Sequence, residues 1–494
     1  MANIWQGVKS QRHYDRLAEH TRHAQRDLEL INYPAANWVL PRVNSDGRPM
    51  LDVLVIGAGM CGQTAAFVLM RDGIRNVRVV DKEPRGDEGP WGTYARMEIL
   101  RSPKHIASPD LGIPSLTFRA WFEAQHGADA WSRLHKAGRI DWRDYLLWVR
   151  ETVGVPVENG VTAEMIEPFA NGVRVRLRSA AGIEVIEARK VVLAGGRDGS
   201  GIERLPRFPG VDHEPAAAKG RVFHSSDEID FSALSGKRVA MLGASASAFD
   251  NAAAALEAGA AAVDLYCRRP HLPQVNKSKW ASFPGVFKGF HTLDDATRFR
   301  IFSTIIELAT PPPYESVIRC DAHDTFTIRF SEPWRDLIPS VRRGVEVVTD
   351  RGRFSYDAAI LATGFDVDLT RRPELSAFSS NILLWRNRVG AAEAERHAEC
   401  ARFPYLGSGF EFVAREPEAT PGIGHIHIFN WGVTQSHAAV AGDIPGLTTG
   451  ANRLSDALAA AFVREDIAGH EANMLAHEDG ELKPTRRYVA PAER

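Results

Sequence analysis

Two short stretches constrain this chain more than anything else in it. "LDVLVIGAGMCG" at 51–62 and "KRVAMLGASASA" at 237–248 each run from an apolar strand through a turn of small residues into an alanine-rich segment. A continuous apolar run that breaks at glycine and resumes with helical periodicity is the start of a βαβ unit. The first continues as helix "QTAAFVLMRDG" and strand "VRVVD"; the second continues as "SAFDNAAAALEAG" and "AVDLYCRR". The predicted fold class is therefore α/β, with two Rossmann-like dinucleotide-binding domains.

In the first turn Gly57, Gly59 and Gly62 form GxGxxG directly after the strand. Gly57 permits the tight turn, Gly59 lets a pyrophosphate approach the backbone, and Gly62 lets helix and strand pack closely. The helix N-terminus supplies free N–H groups and a partial positive charge to the phosphates. Three glycines alone recur by chance, but here a strand precedes them, a helix follows, and Asp81 ends the next strand at the spacing of an acid that holds ribose hydroxyls. Cys61, inside the turn, reads either as a small filler or as a thiol activated by the helix end.

The second turn keeps Gly243 and replaces the later glycines with Ser245 and Ser247, whose hydroxyls can donate to phosphate. Its next strand ends in Arg268 and Arg269 rather than in an acid. Guanidinium groups there favour a 2′-phosphate through charge-assisted bidentate contacts, which points to NADPH. One turn with an acid and one with arginines imply two different dinucleotides, FAD on the first and NADPH on the second.

At this point the sequence resembles the class B flavin monooxygenases, which comprise flavin-containing monooxygenases, amine N-hydroxylases and Baeyer-Villiger monooxygenases. The resemblance spans about residues 51–460. "EGPWGTYARMEILRSPK" is similar to the family's glycine–tryptophan region, which implies Trp91, Met97, Arg101 and Ser102 as neighbours of the flavin; Glu88 replaces the first of the two glycines and Gly89 is kept. "FPG" at 208–210 with "GRVFHSS" at 220–226 resembles the fingerprint between the nucleotide domains, with His224 as its histidine. Glu228 stands where the Baeyer-Villiger version carries tryptophan, which disfavours that subclass. "ILATGFD" resembles the strand crossing back to the FAD domain, with Thr363 and Gly364. "AGDIPGLTTGANR" resembles the last flavin-binding turn, with Gly446 and Leu447 at the pyrimidine end of the ring.

The resemblance implies an FAD-dependent, NADPH-consuming monooxygenase acting on a small organic substrate with dioxygen, with N- or S-oxygenation preferred. Baeyer-Villiger oxygenation, or a reductase passing electrons to a partner protein, stays open as an alternative. A disulfide reductase would require a cysteine pair, whereas Cys61, Cys267, Cys320 and Cys400 are scattered. No residue is singled out as a catalyst, because the cofactor carries such chemistry. Asn430, Trp431, Gln435 and His437 read either as pocket lining or as packing. His425 and His427 share one face of an expected strand with no third metal ligand in view, so no metal is expected.

The remaining features set boundaries. With 60 basic and 62 acidic residues interspersed along 494, no field favours nucleic acid or an anionic membrane. No secretory leader or membrane-spanning run is seen, and with scattered cysteines the expectation is a cytoplasmic protein. Oligomeric state stays open, a homo-oligomer included. The expected organisation is a polar helical arm over 1–50, FAD domain over 51–225 and 351–470, NADPH domain over 226–350, and a polar tail over 471–494.

Overall fold

The computed structural model describes residues 11–105 and 109–488. Residues 1–10 of the expected arm and 489–494 of the expected tail lie outside them.

The first sheet is built on strands that are apolar on both faces. β1 (Leu51–Ile56), β2 (Val77–Asp81) and β3 (Val157–Asn159) run parallel, with Val53 opposite Val77 and Val79 opposite Val157. On the other side β1 pairs in parallel with β6 (Gly182–Leu193), which pairs in parallel with β17 (Ile426–Ile428). β6 runs unbroken through "EVIEAR" and "KVVL". Its first half is antiparallel to β5 (Gly172–Ser179), which pairs with β4 (Thr162–Phe169). The alternation of "VRVRLRS" suits this half-exposed hairpin, whereas the continuous run "KVVL" suits the buried end. Helix α2 (Met60–Arg71) covers the sheet and is buried from Met60 to Leu69 between it and the 29-residue helix α8 (Leu447–Leu475).

The second sheet is wholly parallel, in the order β11 (Phe326–Phe330), β10 (Ala262–Cys267), β9 (Arg238–Leu242), β15 (Ala358–Leu361), β8 (Val222–His224). Helix α5 (Ala246–Glu257) follows β9. The two strands at 222–224 and 358–361 fall outside the expected 226–350 span. They belong to this sheet because β15 hydrogen-bonds to β9, a long-range pairing that no local pattern reveals. The chain crosses between the sheets twice, as β7 (Gly201–Glu203) and β16 (Phe365–Val367), which pair antiparallel. An antiparallel three-stranded sheet, β12 (Asp336–Ser340), β13 (Gly344–Thr349) and β14 (Gly352–Tyr356), lies between β11 and β15 in the chain.

Helix α1 (Gln11–Leu30) lies against α3 (Phe118–His126) and α4 (Arg139–Val153). Ala24 and Leu28 enter the main core, Arg16 donates to Gln125 O (2.8 Å), and Trp148 donates to Thr21 Oγ1 (2.9 Å). Leu17, Ala24 and Leu28 are enough for one buried stripe on an otherwise polar helix.

Of the segment after β10, α6 (Asp295–Leu308) sends Phe299 and Phe302 into a cluster with Trp385 and Phe403, and Phe287 joins the core of the first domain. Helix α7 (Tyr314–Asp321) returns to α5. Residues 284–308, which follow the second domain's β10, thus form a cap seated on the first domain.

Candidate dinucleotide and substrate cleft

The three glycines of the first turn differ in what surrounds them. Gly57 has φ +100°, and a Cβ there would lie 2.7 Å from Ala194 O. At Gly62 it would lie 1.7 Å from Gly57 O, an overlap that excludes any side chain. At Gly59 the nearest protein atom would be Gly89 Cα at 3.8 Å, so packing does not demand glycine there. What Gly59 keeps clear is space beside the N-terminus of α2, whose cap carries no side-chain hydrogen bond. The turn therefore fits a dinucleotide pyrophosphate laid against bare N–H groups.

Asp81 lies at this turn with both oxygens on backbone: Oδ2 accepts from Ala58 N (2.6 Å) and Oδ1 from Glu83 N (2.8 Å). Burial raises its pKa, and these two bonds oppose the rise. Cys61 is a buried filler: desolvation pushes its thiol up to about 12, and its Sγ accepts from Gly442 N (3.2 Å). That bond ties the first turn of α2 to the segment leading into α8. At the head of α8, a Cβ on Gly446 would lie 2.2 Å from Ala439 O, Leu447 is fully buried, and the cap again has no side-chain bond.

Glu88, read as a departure from a double glycine, is a structural fixture. It is 8% exposed, pairs with Arg150 of α4 (2.6 Å), and accepts from Asn159 (2.7 Å) and Gly86 N (2.7 Å). This anchors the loop that carries Gly89 and Trp91. Arg139 closes the same loop by donating to Trp91 O and to Met97 O (3.1 Å). Trp91 and Met97 pack against the main core and Ser102 is half-buried; Arg101 reaches across to Pro311 O, with burial lowering its pKa.

The second turn repeats the geometry with one difference. Gly243 has φ +124° and abuts Ala362 O (2.5 Å to a Cβ). Ser245 caps α5 without using its hydroxyl and is exposed, whereas Ser247 donates to Ser225 Oγ (2.8 Å). The two arginines also part. Arg269 donates to Glu307 O (3.0 Å) and Leu308 O (3.4 Å) at the end of α6, while Arg268 is exposed with no hydrogen bond or ion pair among the described residues.

The crossing strands are locked by His224. Its Nε2 faces Gly364 O (3.0 Å) and its Nδ1 faces Ser226 Oγ (2.6 Å); burial lowers its pKa. With Nδ1 also accepting from Ser226 N (3.3 Å), the proton belongs on Nε2 and the ring is neutral. Thr363 donates to Arg204 O, and Gly364 has φ +77°. His224, Thr363 and Gly364 thus act on the joint between domains.

Asn430, Gln435 and His437 are fully buried and Trp431 is partly so. Asn430 Oδ1 holds Ser200 Oγ (2.7 Å) and Gly432 N (2.9 Å); His437 faces Gly407 O (2.9 Å) and Arg453 (3.3 Å). These groups brace the turn before α8. His425 and His427 have protein partners, Lys190 Nζ (2.8 Å) and Gly409 O (2.7 Å). Among the described residues no helix is long and apolar enough to cross a membrane.

Two bare helix N-termini at two strand–glycine–helix turns, joined by paired crossing strands, form the arrangement of a protein that binds two dinucleotides. Comparison with known proteins agrees. A family described as FAD-NAD(P)-binding matches residues 54–198, and one described as L-lysine 6-monooxygenase/L-ornithine 5-monooxygenase matches 131–317. An FAD-dependent urate hydroxylase of Xanthomonas campestris pv. campestris is 38% identical over 458 residues, 93% of this chain and 95% of that one. The chain belongs to that hydroxylase's family and is a flavin-dependent monooxygenase. Solved structures of similar fold include ornithine hydroxylase from Pseudomonas aeruginosa (TM-score 0.62, 19% identity, 83% of this chain and 98% of that one). L-lysine 6-monooxygenase from Pseudomonas syringae is another (TM-score 0.59, 19%, 83% and 99%).

Proposed function

We propose that this enzyme uses FAD and NADPH to hydroxylate urate or a closely related oxidised purine. The observation that carries the substrate is the 38% identity to a urate hydroxylase along nearly the whole of both chains. When bound, FAD would supply the redox and oxygen-activating chemistry, with NADPH as the reductant.

The chain's own part is to hold and to enclose. Gly57, Gly59 and Gly62 seat the FAD pyrophosphate, Asp81 turns from the backbone to the ribose, and the N-terminus of α8 at Gly446 and Leu447 lies toward the pyrimidine end of the ring, where its partial positive charge would favour negative charge. Trp91, Met97, Arg101 and Ser102 cover the flavin from the loop that Glu88 anchors. Gly243, Ser245 and Ser247 seat the NADPH pyrophosphate, and Arg268 receives the 2′-phosphate. The cap at 284–308, fastened by Phe287 and by Arg298 donating to Ser436 O (3.0 Å), keeps water from the reacting faces. The four cysteines are buried as free thiols, which suits a reducing, cytoplasmic setting.

Urate-dependent consumption of NADPH by the flavin-loaded enzyme, with loss of the urate absorbance, tests the proposal. NADPH consumption that urate does not accelerate would overturn it. A second reading, N-hydroxylation of an amine, has the lysine/ornithine monooxygenase match over 131–317 in its favour, and the same assay with amines in place of urate distinguishes it. Glu228 at the tryptophan position continues to disfavour ketone oxygenation.

A further inference from the structure

One charged group at the mouth of the first site has no part in the account so far. Arg197 follows β6 in "LAGGRDG" and is 46% exposed. Its guanidinium lies on the face of Trp431, 3.9 Å from the ring centroid. Its remaining close contact is a long ion pair to Asp443, 3.9 Å. A guanidinium held over an indole face keeps its N–H donors in its own plane, free for a bidentate acceptor.

Three contacts fix where that fork lies. Gly57 packs on Ala194 and Gly195, so the loop bearing Arg197 leaves β6 beside the glycine turn. Cys61, in the first turn of α2, accepts from Gly442 N, so Asp443 stands next to the same helix end. Asp198, next along, pairs with Lys82 (3.6 Å), which follows Asp81. The loop bearing Arg197 therefore leaves β6 beside the glycine turn, with Lys82 on Asp198 and Asp443 on Arg197 itself. Asp443 keeps 41% of its side-chain surface free, so the pair is partly accessible rather than sealed by protein.

We propose that Arg197, pre-set on Trp431, clasps the FAD pyrophosphate, exchanging its long contact to Asp443 for a bidentate one to the phosphates. The glycine turn offers the pyrophosphate backbone N–H groups on one side; Arg197 closes the other with a full charge. Lys82 and Asp198 hold the loop, and Trp431, which also packs on Phe302 and Phe403, links cofactor retention to the cap. The clasp rests on the flavoenzyme assignment and is independent of which substrate is oxidised.

The test uses full-length protein stripped of flavin and titrated with FAD while flavin fluorescence is followed. Arg197→Ala is expected to raise the FAD dissociation constant roughly ten- to hundredfold, the range of a charged hydrogen bond. Arg197→Lys is expected to restore part of this, since the charge returns without the fork. Trp431→Leu should weaken FAD by a smaller factor. The NADP⁺ dissociation constant and the unfolding midpoint of the flavin-free Arg197→Ala protein should match the parent. Unchanged FAD affinity in Arg197→Ala, or a loss confined to NADP⁺ or urate binding, would overturn the clasp. Because no turnover is read, a protein that binds FAD through Arg197 but ignores urate would sink the substrate proposal and leave the clasp standing.

Discussion

Arg268 gives the sharpest prediction, because the structure separates it from its neighbour. Both arginines follow β10 where an acid would select a free 2′-hydroxyl, yet Arg269 already serves two carbonyls at the end of α6. Arg268 is exposed and uncommitted, so its charge is available to a 2′-phosphate. A hydrogen bond to a charged group contributes about 1.5–3 kcal/mol, so Arg268→Ala should weaken NADPH by roughly 10- to 150-fold. NADH lacks the phosphate and should lose less than threefold. Arg269→Ala removes a helix C-terminal contact worth about 0.3–1 kcal/mol, and its small effect should fall equally on both nucleotides. The assay is the rate of anaerobic flavin reduction against NADPH or NADH concentration for the parent and each variant. Equal losses for both nucleotides in Arg268→Ala, or a selective NADPH loss in Arg269→Ala alone, would refute the assignment.

Other outcomes follow from the same geometry. Gly59→Ala should fold and lose FAD, since its Cβ meets no protein atom within 3.8 Å, whereas Gly62→Ala should fail to fold because its Cβ would overlap Gly57 O; circular dichroism and flavin content separate the two. Glu88→Ala leaves Arg150 buried and unpaired, a loss of about 3–5 kcal/mol for a broken buried ion pair, read as a lower denaturant midpoint with flavin release. Asp52 is 2% exposed, and desolvation, only partly offset by Arg189, raises its pKa from 3.8 to about 6. A carboxyl raised on folding costs stability wherever it is ionised, so the penalty grows between pH 3.8 and 6 and stays above that. Asp52→Asn should therefore be more stable than the parent at pH 8, by up to about 3 kcal/mol, with the advantage vanishing near pH 4; a less stable variant at pH 8 would show that pairing with Arg189 outweighs desolvation.

What could be read from sequence was what is local. Both βαβ units, the inequality of the two turns and the helix after Gly446 follow from hydrophobic periodicity and small-residue spacing over a dozen residues. Pairings between distant segments were not readable. β15 joins β9 across more than a hundred residues, which moves both ends of the second domain outward from the expected 226 and 350. The same limit hid Glu88, whose partners Arg150 and Asn159 lie about 60–70 positions away. Arg268 and Arg269 look alike in sequence and differ only because the end of α6 arrives beside one of them. Arg197 carried no motif at all; a lone arginine after a glycine pair gives no sign that Trp431 and Asp443 will meet it.

The proposed reaction inserts one atom of dioxygen into an oxidised purine at the expense of NADPH. Turnover of urate with NADPH under isotopically labelled dioxygen, followed by mass spectrometry of the product, tests it most directly. The account predicts one labelled oxygen atom per product molecule and one NADPH consumed for each. Product carrying oxygen from water alone, or NADPH consumed with hydrogen peroxide as the sole oxygen product, would contradict it.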